Sequence, residues 1–177
     1  MEQKDVVIIG GGPAGLAAAV ELHKQGIRNM IILEREAMLG GILRQCIHDG
    51  FGLGRFGESL SGPEYAQAFI DEVNKREIPY ETSATVLSLT ADRVVTASTR
   101  SGLRQYQAKA VVLAMGCRER ARGAVGIPGA RCAGVFTAGT AQMYMNLLGL
   151  SVGRRVVIRG TGDIGLIMAR RMTLEGA

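Results

Sequence analysis

Residues 5–15 read DVVIIGGGPAG, a β-branched run that breaks into three glycines and a proline. A short apolar run closed by glycine reads as a strand buried on both faces. Pro13 suits the first turn of a helix, because the amide it lacks would find no acceptor there. That helix runs over residues 13–25, with Gly26 just past its end. Residues 29–33, NMIIL, read as a second buried strand. Strand, glycine turn, helix and strand make one βαβ unit, so the fold class is α/β, a Rossmann-like parallel sheet with helices.

Gly10, Gly12 and Gly15 occupy the GxGxxG positions. The first permits the tight turn, the second lets a pyrophosphate approach the backbone, and the third lets helix and strand pack closely. The free amides and positive dipole end of the helix then face the anion. Glu34 follows the second strand, about 20 residues past the turn, where a carboxylate can accept bonds from two ribose hydroxyls. A lone GxGxxG also suits a merely tight turn with a surface glutamate. Strand, turn, helix, strand and acid together point to a dinucleotide, and the pattern admits either NAD or FAD.

Outward from this unit, residues 40–62 are glycine-rich and irregular, and read as a binding loop. Residues 63–76 form a helix, with Ser61 as its cap and Tyr65, Ala66, Phe69, Ile70 and Val73 on one face. Strands are expected at 85–89, 93–97 and 103–107, as an antiparallel meander. A fourth, AVVLA at 110–114, should return buried to the main sheet. Residues 116–134, rich in Arg, Gly and Pro, read as a domain boundary. A helix over 138–148, a strand over 155–158 and a helix over 163–174 complete the chain.

The 177 residues suffice for a domain with a sizeable core. The net charge of +5 comes from scattered arginines, densest at Arg118, Arg120 and Arg122. With no basic helix and no basic stripe among aromatics, nucleic acid is not an expected partner. Cys46, Cys117 and Cys132 form no CxxC pair and no zinc pattern, so no metal is expected, and a reducing compartment fits. A strand already running by Val6 leaves no room for a signal peptide, and no apolar run approaches a membrane span. The cytoplasm is the expected location.

Past Glu34 the chain reads MLGGILRQC, and further on VVLAMG. Here it resembles the two-dinucleotide-binding flavoproteins, the fold of the pyridine nucleotide–disulfide oxidoreductases. In that family an acid followed by paired glycines, here Gly40 and Gly41, lets backbone approach the flavin end of FAD. An ATG-like strand end is matched by Ala114 to Gly116, with Met115 for threonine, and Val86 stands where adenine meets backbone. The stretches GGILRQCIHDGFGLGRFGESLSGPEY, AMGCRER and GVFTAGTAQ are similar to a narrower group. It holds oxidoreductases associated with anaerobic glycerol-3-phosphate dehydrogenase and the FAD subunits of dye-linked proline dehydrogenase, opine oxidase and hydrogen cyanide synthase. Ala121 and Cys132 depart from it, each at an expected proline.

The resemblance implies an FAD-dependent oxidoreductase that transfers hydride between a nicotinamide cofactor or small substrate and the flavin. Its implied FAD contacts are Gly10, Gly12, Pro13, Ala14, Gly15, Glu34, Arg35, Gly40, Gly41, Ile42, Val86, Ala114 and Gly116. The turn GTGDIG, with Gly160, Gly162, Asp163, Ile164 and Gly165, would open a site for NAD or NADP. That site is half built, since the second strand and its acid are absent. The implied domains are an FAD-binding 1–120, a connection 121–152 and an incomplete NAD(P)-binding 153–177. On this reading the chain is the N-terminal part of a longer enzyme: a designed piece, a truncated reading frame, or one piece of a split protein.

Two competing readings remain: a dinucleotide-binding module without turnover, and one piece of a multi-subunit enzyme completed by another chain. The expected partners are a small-molecule electron donor or acceptor, a second copy of the chain, and another oxidoreductase subunit. The apolar side chains of the last helix, Ile164 to Leu174, should seek cover on another chain or on the first domain, or be poorly ordered. Cys46 is the main catalytic candidate. Disulfide reductases of this fold carry a CxxxxC after the paired glycines, but no second cysteine accompanies Cys46, which excludes a dithiol cycle within this segment. It is either a single redox thiol, activated by His48 or a helix end, or a small buried apolar residue, the plainer reading. His48 is either an acid/base group or a loop histidine held by backbone. Arg118, Glu119 and Arg120 either pair across the domain junction or form a solvated run.

Overall fold

The run VVII forms the core of β1 (Glu2–Ile9), which begins at Glu2 rather than at residue 5. The computed structural model describes residues 1–130 and 132–177; residue 131, within the loop 116–134, lies outside the described residues. They group into two units, Met1–Arg44 with Asp49–Gly116, and Gln45–His48 with Cys117–Ala177.

In the first unit, α1 (Pro13–Lys24) links β1 to β2 (Met30–Leu33), and the strands pair in parallel from Val6↔Met30 to Ile9↔Leu33. Beyond β2 lies β5 (Tyr80–Glu81), two residues long and without a sequence signal of its own. On the other side lie β8 (Gly102–Leu113), β7 (Val94–Thr99) and β6 (Thr85–Leu89), for an order β5-β2-β1-β8-β7-β6. The meander is present, but the strands expected at 103–107 and 110–114 are one. Nothing in YQAKA turns the chain, so β8 passes from an antiparallel pairing with β7 to a parallel pairing with β1. Tyr106 and Gln107 pair to both. Nor is the AVVLA end buried: among the described residues only β1 flanks it, and Leu113 is 58% exposed.

Alternation along β1 and β2 builds two apolar layers. Val6, Ile8, Met30 and Ile32 pack under Leu16 and Val20 of α1 and under Phe69 and Val73 of α3 (Gly62–Lys75). Val7, Ile9, Ile31 and Leu33 face the opposite way, onto Val95, Ala97, Tyr106 and Ala108 of the meander. Each fully buried Ile or Leu contributes about 1.5–3 kcal/mol. The loop 40–62 is less irregular than expected. It holds a 3₁₀ turn (Gly41–Gln45), β3 (Asp49–Phe51), α2 (Leu53–Phe56) and β4 (Leu60–Ser61), with β3 and β4 antiparallel. Ser61 caps α3 in a reciprocal box: its hydroxyl accepts from the Glu64 amide, and Glu64 accepts from the Ser61 amide at 2.8 Å.

In the second unit, α4 (Ala138–Leu148) and α5 (Asp163–Leu174) occupy their expected residues. Met168 and Met172 of α5 are buried on Ala141 and Met145 of α4, so the last helix finds cover within its own unit; Leu166 and Leu174 stay exposed. Residues 155–158 form no strand, and Val157 is exposed. A strand exists through pairing, and no described segment offers this one an edge. Of the expected opening of a second Rossmann-like domain, helix and turn are formed and the strand is not. Glu119 accepts the Gly139 amide at 2.7 Å, at the start of α4, while Arg118 and Arg120 are exposed. Among the described residues, no helix is long and apolar enough to cross a membrane, and no group of His, Cys, Asp and Glu could hold a metal ion.

Tyr106 is fully buried and donates its hydroxyl to Glu81 at 2.9 Å; Arg104 bridges Glu81 and Glu2 at 3.3 and 3.1 Å. Burial, then the bond to Glu81, push the phenol up to about 12. A proton bound more tightly in the folded chain stabilises it fully below the unfolded value near pH 10. That contribution fades as pH rises toward 12. Urea unfolding of wild type against Tyr106→Phe should therefore show a wild-type-only loss over this window, at up to about 1.4 kcal/mol per pH unit. Parallel pH curves for the two proteins would refute it.

Candidate functional site

The glycine turn lies where β1, β2 and β8 end together. The Gly10 amide donates to the Leu33 carbonyl at 2.9 Å, and the Ala114 amide donates to Ile9 at 2.8 Å. Gly10 holds φ +110°, and a methyl group on it would meet the Ala114 carbonyl oxygen at 2.2 Å. A methyl on Gly15 would lie 1.9 Å from the Gly10 carbonyl oxygen. Both positions are closed to any side chain by backbone, which cannot rotate away. Gly12 is different: the nearest atom to a methyl there is Gly41 Cα, at 3.9 Å. Gly12 and Pro13 are half-buried and Ala14 is exposed, so the rim of the turn is open. The helix itself provides no acceptor for the amides of Ala14 and Gly15.

Glu34 is 6% exposed and turns back toward this loop. One carboxylate oxygen accepts the Gly11 amide at 2.7 Å, and the other accepts the Glu36 amide at 2.8 Å. The Gly11 amide is therefore taken by Glu34 and does not face outward from the bend. A carboxylate has about four acceptor sites, and two of these remain for hydroxyl donors. Gly11, given no role by the motif, is required here. A methyl on it would lie 2.5 Å from Leu39 Cδ2 and 3.1 Å from Glu34.

The paired glycines close the arrangement. The Gly40 amide donates to the Gly11 carbonyl at 2.8 Å, and a methyl on Gly41 would touch Gly12 Cα at 3.0 Å. Two glycine loops thus meet backbone to backbone. Ile42 is exposed beyond them, and Arg35 is exposed beside Glu34, paired with Glu36 at 3.3 Å. Val86 lies in β6, two residues after Ala84, whose amide donates to the Glu34 carbonyl at 2.8 Å. Gly116 takes φ +68° just past the end of β8. Apart from Val86, which pairs with Ala97 of β7, the first-unit candidates converge on one end of the sheet.

The remaining candidates belong to the second unit. Gly160 takes φ +122°, yet a methyl on Gly160 or Gly162 would meet nothing within 4 Å, and one on Gly165 only ordinary contacts from 3.5 Å. Asp163 opens α5 and Ile164 is partly exposed. Cys46 is buried, and burial pushes its thiol up, away from the thiolate that an activated nucleophile needs. His48 groups with it in the segment Gln45–His48. Sequence reasoning missed Gln45 and Gln142, both buried and bonded side chain to side chain at 3.0 Å. Both lie in the stretches GGILRQC and GVFTAGTAQ that carry the resemblance, but 97 positions separate them and neither stretch pairs one with the other.

The two turns should answer the same substitution differently. Gly15→Ala should lower stability by about 1–3 kcal/mol or more through backbone collision. Gly162→Ala, in open space at φ −72°, should stay within about 0.5 kcal/mol. Urea denaturation of both variants checks this, and equal losses would contradict it.

The family model for pyridine nucleotide-disulphide oxidoreductases matches residues 4–175. One opine oxidase subunit, from Agrobacterium tumefaciens (strain Ach5), is 31% identical over 182 residues, which cover 97% of this chain and 35% of that protein. Hydrogen cyanide synthase subunit HcnB of Pseudomonas protegens is 30% identical over 179 residues, covering 96% of this chain and 36% of that one. The crystal structure of L-proline dehydrogenase from P. horikoshii aligns with a TM-score of 0.74 at 25% identity, over 97% of this chain and 34% of that one. The chain thus spans roughly a third of the length of these relatives. Since the match runs from β1 through both glycine turns to the end of α5, the chain belongs to the pyridine nucleotide-disulphide oxidoreductase family, whose members are flavin-dependent oxidoreductases.

Proposed function

We propose that the first unit binds FAD and that the protein is an FAD-dependent oxidoreductase acting between a nicotinamide cofactor or small substrate and the flavin. One observation carries this reading: Glu34 is held on the Gly11 amide while Gly41 abuts Gly12. Acid, turn and paired glycines are thereby gathered at one end of the sheet. The residues fit the group. Ala14 and Gly15 would donate amides to the diphosphate, and Gly12 has no side chain to obstruct it. Glu34 would accept two ribose hydroxyls, with Arg35 beside it and Val86 backbone near the adenine. Gly40, Gly41 and Ile42 would line the flavin half, with Ala114 and Gly116 at the neighbouring strand end. Bound flavin would supply the redox chemistry that side chains lack.

Residues 1–120 are proposed as the FAD-binding part, 121–152 as a connection and 153–177 as the start of an NAD- or NADP-binding part. Gly160, Gly162, Asp163, Ile164 and Gly165 would open that second site. Its loose packing supports it less than the first turn's packing supports FAD. Cys46 is proposed as a packing residue, because burial opposes its activation, and His48 as a loop residue beside it. Two of the relatives are named as subunits, which supports a partner oxidoreductase chain. The unpaired residues 155–158 favour a second reading, in which another polypeptide completes the site. Bleaching of the flavin band by NADH in the isolated chain would argue for the first; bleaching only with a partner, for the second.

Titration of FAD fluorescence tests the binding site. ADP should compete with FAD, and FMN, which lacks the AMP half and keeps only one phosphate, should not. Glu34→Gln should weaken FAD about ten-fold or more, because a charge-assisted acceptor is lost and the new NH2 group must oppose one of two amide donors, Gly11 or Glu36. Equal affinity for FAD and FMN, or an unaffected Glu34→Gln, would overturn the reading.

A further inference from the structure

Segment Gln45–His48 groups with the second unit, although the chain on both sides of it forms the first. It leaves the paired glycines directly, through the 3₁₀ turn Gly41–Gln45. Within the second unit, α4 clasps Gln45. The Gln45 side-chain amide donates to the Gly139 carbonyl at 3.2 Å and to Gln142 Oε1 at 3.0 Å; the Gln45 carbonyl accepts from Asn146 at 2.8 Å. Positions 139, 142 and 146 recur at helical spacing, so one face of α4 holds the segment. Asn146 Oδ1 also accepts from Arg171 of α5 at 3.2 Å, which extends the clasp to both helices.

The amide orientations are dictated. A carbonyl only accepts, so the Gln45 atom facing Gly139 is nitrogen, and the Gln142 atom facing that nitrogen is oxygen. Gln142 Nε2 is then buried with no acceptor among the described residues, on a side chain 1% exposed. An orphaned buried donor is a standing cost. The closed clasp is therefore weaker than its hydrogen bonds suggest.

We propose that the Gln45–Gln142 clasp couples occupancy of the glycine turn to the order of α4 and α5. The proposal rests on the FAD reading above. A dinucleotide seated on Gly12 and Gly41 restrains the start of the 3₁₀ turn. Gln45, at its other end, then has less freedom left to lose on entering the clasp. By linkage, opening the clasp must weaken the ligand by the factor with which the ligand strengthens the clasp.

The test is amide hydrogen exchange of the whole chain with and without saturating FAD, with FAD fluorescence as a separate record of binding. FAD should slow exchange in α1 and also, about five-fold or more, in α4. Gln142→Leu and Gln45→Met, each close in size to the original, should bind FAD about five-fold more weakly. Resaturated with FAD, they should show slowing in α1 and none in α4. Protected β1 amides report that a variant has folded, and either variant alone suffices. Slowing confined to the first unit in wild type, or persisting in α4 of a folded variant, overturns the coupling and leaves the FAD site standing. Wild-type chain that leaves FAD fluorescence unchanged overturns both.

Discussion

A buried carboxylate resting on a backbone amide is the constraint around which the site is built. Glu34 is almost wholly removed from water, and a charge so placed must be hydrogen-bonded or it destabilises the fold. The amides of Gly11 and Glu36 meet that need. Gly11 must then be glycine, because the carboxylate and Leu39 occupy the space of its side chain. The carbonyl of the same residue accepts from Gly40, so one glycine fixes the acid with its donor and the second loop with its acceptor. The ends of β1 and β2 and the paired glycines are thereby tied into one rigid rim.

Glycine has two different meanings along this chain. In the first turn, Gly10, Gly11 and Gly15 are compelled by atoms already present, mostly backbone, and Gly41 by the approach of Gly12. In the second turn, the same letters face open space. The difference traces to pairing. The first turn is squeezed between three strand ends that share hydrogen bonds, whereas residues 155–158 have no strand beside them among the described residues. A motif describes what a backbone can do; neighbouring strands decide whether it is forced to.

The second unit is held by other means. Its core is small and rich in methionine, with Met145, Met168 and Met172 around Ala141. Such flexible side chains fill space without specifying one arrangement strongly. Directional bonds supply more of the specificity: Glu119 on the start of α4, the Arg122 side chain on the carbonyls of Ile127 and Ala130, and the glutamine pair. Weak packing combined with directional contacts is the setting in which one unsatisfied amide can matter.

The βαβ unit, the acid after β2, the face of α3 and the residues of α4 and α5 were legible because each rests on local rules. These are glycine at a turn, proline at a helix start, and apolar spacing along a strand or helix. Ser61 was legible as a cap for the same reason. Tertiary structure alone joined two expected strands into β8, since its two partners come from opposite ends of the first unit. It also withheld the strand at 155–158, covered Met168 and Met172 with α4, and brought Gln45 to Gln142. Sequence determined which backbones could turn and which faces were apolar. Pairing partners, and the destination of each buried polar group, depended on residues far away in the chain, and no local pattern encodes that distance.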